Sequence, residues 1–80
     1  MEEQIKELTL LLLYLTSWTE KEPYGKYQRA WKGYDFDILN SLEAERLIGG
    51  STHKAKSTYI TDEGIKKAKE LIKKYNIKDE

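Results

Sequence analysis

The chain has no cysteine, a single proline and no net charge, with fourteen Lys and Arg balancing fourteen Asp and Glu over 80 residues. Without thiols there is no disulfide, no thiolate metal site and no cysteine nucleophile, which fits a reducing compartment and makes the cytoplasm the expected location. Without net charge the chain lacks the bulk electrostatic pull by which basic proteins hold nucleic acid. The leucine run at 10–13 follows Glu2, Glu3 and Lys6, and it is far shorter than the roughly 20 residues a membrane-spanning helix needs. The one histidine, His53, has neither a second histidine at metal spacing nor a predictable acid partner, and no Gly-rich loop opens a helix after a strand. An enzyme, a metal or any other cofactor is therefore not expected, nor is a membrane partner.

What remains is one small domain, residues 1–80, whose core is modest for its surface and would gain from burial against a partner. Charge is banded along the chain: residues 1–25 and 35–45 are acidic, while 26–34 and 46–60 are basic. Residues 2–20 read as a first helix with Ile5, Leu8, Leu12 and Leu15 recurring at helical spacing, and with Leu11 and Trp18 widening the stripe. Leu10, Leu13 and Tyr14 then fall on a second apolar face, which points to a partner. Isologous pairing is the commonest oligomeric arrangement, so a homodimer through Leu10, Leu13 and Tyr14 is the expectation.

Residues 20–34 hold Pro23, Gly25 and Gly33 and show no clean period, so they read as a loop followed by a short helix or strand. Asp35 is a good N-cap for a helix ending near Arg46, with Phe36, Ile38, Leu39, Leu42 and Leu47 as its apolar arc. Gly49 and Gly50 stop that helix. Residues 55–60 suit a strand that pairs with Leu47 and Ile48 in a small hairpin. Thr61 caps a last helix whose first turn holds Asp62 and Glu63 and whose core face is Ile65, Ala68, Leu71, Ile72 and Tyr75. Its lysines read as a solvated face, with Glu70 and Lys74 paired four residues apart. The class is mainly α with a small β-hairpin, an α+β arrangement.

The stretch DILNSLEAERLIGGSTHKAKSTYITDEGIKKAKEL resembles the second half of winged helix-turn-helix regulators, where "Leu-Glu-x-x-Gly-Leu-Ile" precedes a wing and "Leu-Thr-x-x-Gly". The matches are Leu42, Glu43, Leu47, Ile48, Thr61 and Gly64, while Arg46 stands where glycine is usual. The sequence AWKGYDFDILNSLE, preceded by LTLLLLYLTSW, is similar to a small prokaryotic family of uncharacterised winged-helix-like proteins. The resemblance implies three or four helices plus a wing, with 35–46 as the recognition helix and 49–56 as the wing. The helix that usually precedes recognition would have to come from 24–31.

On that frame the outward side chains Asp37, Asn40 and Ser41 could meet base edges, while Arg29, Lys32, Lys54 and Lys56, with His53 on the wing, could meet phosphates. Equally, the same helix face could be solvated or packed on a protein. Trp31 and Phe36 are expected in the core, because a small domain needs large apolar side chains to close. Tyr24 and Tyr27 stay open between core and single-strand stacking. The leading functional expectation is a transcriptional regulator that binds double-stranded DNA, and the alternative is a protein-interaction or dimerisation module of the same fold.

Overall fold

Seven elements alternate along the chain: α1 (Glu2–Leu15), β1 (Trp18–Glu22), β2 (Gly25–Trp31), α2 (Phe36–Ala44), β3 (Ile48–Gly49), β4 (Ser57–Ile60) and α3 (Asp62–Lys74). The computed structural model describes residues 2–23, 25–50 and 56–78. The class is α+β as expected, but the β part is larger than one hairpin. The strands form one antiparallel sheet in the order β1-β2-β4-β3.

Local chemistry sets the element ends. At the end of α1 the hydroxyls of Thr16 and Ser17 donate to the carbonyls of Leu12 and Tyr14. Thr16 N–H still returns to Leu12 C=O, but Ser17 N–H closes a tighter turn on Tyr14 C=O at 3.1 Å. The helix therefore stops at Leu15, and Trp18 begins a strand instead of extending the apolar stripe. At the start of α2 the Asp35 carboxylate accepts from the N–H groups of Asp37 (2.9 Å) and Ile38 (3.2 Å). The Thr61 hydroxyl caps α3 by accepting from Gly64 N–H at 2.9 Å.

Two helix ends share one device. After α2, Leu47 N–H returns to Leu42 C=O and Arg46 N–H to Glu43 C=O, with Arg46 at φ 61°. After α3, Ile77 returns to Ile72 and Asn76 to Lys73, with Asn76 at φ 53°. Both are Schellman caps, whose left-handed residue is most often glycine because a Cβ crowds the backbone there. That is a physical reason for a glycine where Arg46 stands. Gly64 has a different one: a Cβ there would run into the Leu47 carbonyl, the same carbonyl that accepts from the Thr61 N–H and hydroxyl.

The sheet has two unlike faces. Ala30, Ile48, Thr58 and Ile60 lie on one and are buried against Leu10, Leu11 and Leu13 of α1, Leu39 and Leu42 of α2, and Leu71 of α3. In α3 the expected core face holds, with Ala68 and Leu71 buried and Ile65, Ile72 and Tyr75 partly so. Three expectations are corrected. Residues 25–31 are a strand, so the helix sought in 24–31 ahead of α2 does not exist. Leu10 and Leu13, 1 % and 0 % exposed, are core and cannot form a dimer face, and Tyr14 packs against the same cluster. Trp31 and Phe36 are not core but 63 % and 67 % exposed.

Candidate functional site

The reversal of α1 defines the first candidate surface. Ile5, Leu8, Leu12 and Leu15, the residues that look like the core stripe, are all 42–47 % exposed. Their spacing of three, four and three is that of a and d positions in a two-stranded helix seam. The polar side chains on the buried flank are satisfied internally. Thr9 donates to Ile5 C=O at 2.7 Å. Glu7 accepts from Lys74 Nζ and from the Tyr75 hydroxyl, both at 2.8 Å. The Lys74 hydrogen bond, followed by that of Tyr75, holds the Glu7 carboxyl below the usual carboxylate range, and Glu7 in turn raises the pKa of Lys74 and of Tyr75. Lys74 therefore ties α3 to α1, a role that its spacing from Glu70 does not suggest. Lys6 fixes the other flank by an ion pair with Glu45 beyond α2 and one with Glu3 at 3.2 Å, and its pKa is raised chiefly by the Glu45 bond.

The second candidate surface is the outer face of the sheet. Strand alternation puts Trp18 and Glu20 of β1, Tyr27, Arg29 and Trp31 of β2, and Ser57 and Tyr59 of β4 on that side. The Trp18 and Trp31 rings lie 4.9 Å apart, and those of Tyr27 and Tyr59 lie 6.2 Å apart, edge to face. Arg29 sits opposite both Trp18 and Tyr59 in register, and its Nε and Nη2 donate to the Ser57 hydroxyl at 3.2 and 3.1 Å. Gly49 stands opposite Tyr59 on β3, where a Cβ would overlap the tyrosine ring. The missing side chain lets the ring lie across the strand.

The residues expected to meet DNA are divided between two places. Arg29 lies on the outer sheet face, and Lys32 and Lys56 are joined at its end by the bond from Lys32 N–H to Lys56 C=O (3.0 Å). Arg29 is set apart from that end by the Ala30–Thr58 and Trp31–Ser57 rungs. Asp37 and Ser41 instead line a groove of about 440 Å³ together with Asp35, Ile38, Glu2, Glu3, Ile5 and Lys6. Four carboxylates against one lysine make that groove repel a phosphate backbone. Asn40 is exposed on α2. His53 and Lys54 lie outside the described residues. Among the described residues no group of His, Asp or Glu could hold a metal ion, and no helix is long and apolar enough to cross a membrane.

Sequence reasoning missed the aromatic sheet face because its amphipathicity is inverted. In residues 25–31 the large rings point to solvent and the small or polar Gln28 and Ala30 point inward. The alternation of Tyr27, Arg29 and Trp31 was the available signal.

Comparison with known proteins gives a relationship without an activity. A family model described as "Domain of unknown function (DUF6429)" matches residues 1–78. The chain is also similar to an uncharacterized protein, y4hR, of Sinorhizobium fredii, with 34 % identity over 73 residues that cover 91 % of this chain and 89 % of that one. No solved structure matches the chain.

Proposed function

We propose, for a chain that belongs to the family described as "Domain of unknown function (DUF6429)", that it is a non-catalytic binding module which pairs with a second copy of itself through α1. The observation that carries this reading is the exposed row Ile5, Leu8, Leu12 and Leu15 at seam spacing on a helix whose opposite flank is fully packed. Zero net charge adds no repulsion between copies. With Glu2 and Glu3 in the first turn and no base in the last, an antiparallel pairing is favoured. It keeps the acidic ends apart and opposes the helix dipoles.

Two copies bury eight such side chains, each a little under half exposed. At about 1.5–3 kcal/mol for a full side chain, this releases on the order of 8 kcal/mol. That lies within the cost of association, about 4–15 kcal/mol. The dimer is therefore concentration-dependent rather than obligate. Light scattering across a concentration series tests it: mass rises toward two chains in the native protein and stays at one chain in Leu12→Glu. A native protein that remains one chain at high concentration would remove the reading.

The fold is read as winged-helix-like: the order β2-β4-β3 with α2 between β2 and β3 supports it, the β1–β2 hairpin standing where the first helix of a helix-turn-helix would be. The absence of cysteine supports a cytoplasmic setting. A second reading, binding of double-stranded DNA, draws on Lys32 and Lys56, which meet through a backbone hydrogen bond at the end of β2. In this reading phosphates meet the sheet end, and α2, beside its acidic groove, does not read bases. It requires duplex affinity at low salt that falls as salt rises and weakens in Lys56→Ala.

A further inference from the structure

The outer sheet face is distinct from α1 and its ring chemistry differs. We infer that it is a stacking platform for single-stranded nucleic acid, with bases laid on Trp31 and the Tyr27–Tyr59 pair and a phosphate drawn to Arg29. This goes beyond the proposed pairing and does not depend on it.

Three observations carry the inference. Trp31, Tyr27 and Tyr59 are 63 %, 39 % and 37 % exposed although each has a large apolar area, which a small domain would ordinarily bury. The rings form two pairs, Trp18–Trp31 and Tyr27–Tyr59, and Arg29 lies between them, opposite Trp18 on one side and Tyr59 on the other. Beside the tyrosine pair lies a groove of about 300 Å³ that Tyr27 and Tyr59 line together with Lys26, Gln28 and Asp62. Lys56 stands exposed at the entrance to β4. Rings on either side of an arginine suit an unpaired strand, which offers π-faces and phosphates together, whereas a duplex hides its base faces. Glu20 on this face accepts from Trp18 Nε1 at 2.9 Å, so its charge is partly engaged.

Trp18 and Trp31 are the only tryptophans in the chain, so their fluorescence reports directly on the face. Titration of the full chain with oligo-dT and oligo-U, and with a duplex of equal length, should give saturable quenching by the single strands, weaker at higher salt, and less by the duplex. Base stacking is worth about 1–3 kcal/mol per base, so Tyr59→Ala and Tyr27→Ala should each weaken binding by about fivefold or more. Arg29→Gln should reduce the salt dependence. Leu12→Glu should leave single-strand affinity unchanged, which separates this inference from the dimer. If neither single strand quenches saturably, if the duplex binds as well, or if a folded Tyr59→Ala, checked by circular dichroism, binds like the native protein, the platform is refuted. A preference between oligo-dT and oligo-U would identify DNA or RNA as the ligand.

Discussion

The two flanks of α1 are built from nearly the same residue type and meet opposite fates. Leu10, Leu11 and Leu13 are at most 2 % exposed, whereas Ile5, Leu8, Leu12 and Leu15 keep 42–47 % of their surface. Hydrophobicity does not separate these flanks, so periodicity alone cannot say which one is the core. The difference lies in distant partners. The buried flank includes Glu7, and a carboxylate is tolerated there because Lys74 and Tyr75, at the far end of the chain, hydrogen-bond it. An apolar helix that is satisfied on one side by the fold and left bare on the other points to a partner for the bare side.

The sharpest way to break this comparison is to truncate one leucine on each flank. Leu13→Ala leaves a void in the core and should lower unfolding free energy by about 2–5 kcal/mol, whereas Leu12→Ala should cost well under half as much in dilute solution. Chemical denaturation of the two variants reads the ratio, and equal losses would erase the distinction between the flanks. Gly64→Ala comes next, because its Cβ meets the Leu47 carbonyl. A destabilisation of about 1–3 kcal/mol is expected, with the dimer unchanged at concentrations where the protein stays folded.

Arg46→Gly tests a site away from both flanks. Removing the left-handed Cβ relieves about 1 kcal/mol of strain but frees the unfolded chain. A net stabilisation below about 1 kcal/mol is therefore expected by thermal unfolding, with no change in association. Acidity probes the Glu7 link. Its folded pKa lies below the ordinary 4.5, so its stabilisation is present above that value and is lost as pH falls through the folded value. Lys74 is raised above 10.5, so its share is present below 10.5 and is lost as pH rises through its folded value. Stability curves of the native protein and Glu7→Gln should converge at low pH and separate between these limits. Parallel curves would remove the link.

The fold was legible where local chemistry decides. The Asp35 and Thr61 caps, the acids at the start of α3 and its Ala68–Leu71 face all follow from residue type and spacing, as does a strand in 55–60 that pairs with Ile48, though not its register. The β1–β2 hairpin was not legible, because its strands carry charge toward the tip and rings on the outside, so neither hydrophobic period points inward. The candidate site was half legible. Arg29 and Tyr27 could be singled out as basic and aromatic, but their union on one sheet face with Trp18 and Tyr59 depends on a register between strands about 30 residues apart.

The proposed pairing places Leu12 in an interface between copies. Because the chain has no cysteine, Leu12→Cys installs a unique thiol whose labelling rate can be followed as the protein is concentrated. Rapid labelling in dilute solution that slows as dimer forms is the expected result. Labelling equally fast at every concentration, with the variant folded, would contradict it.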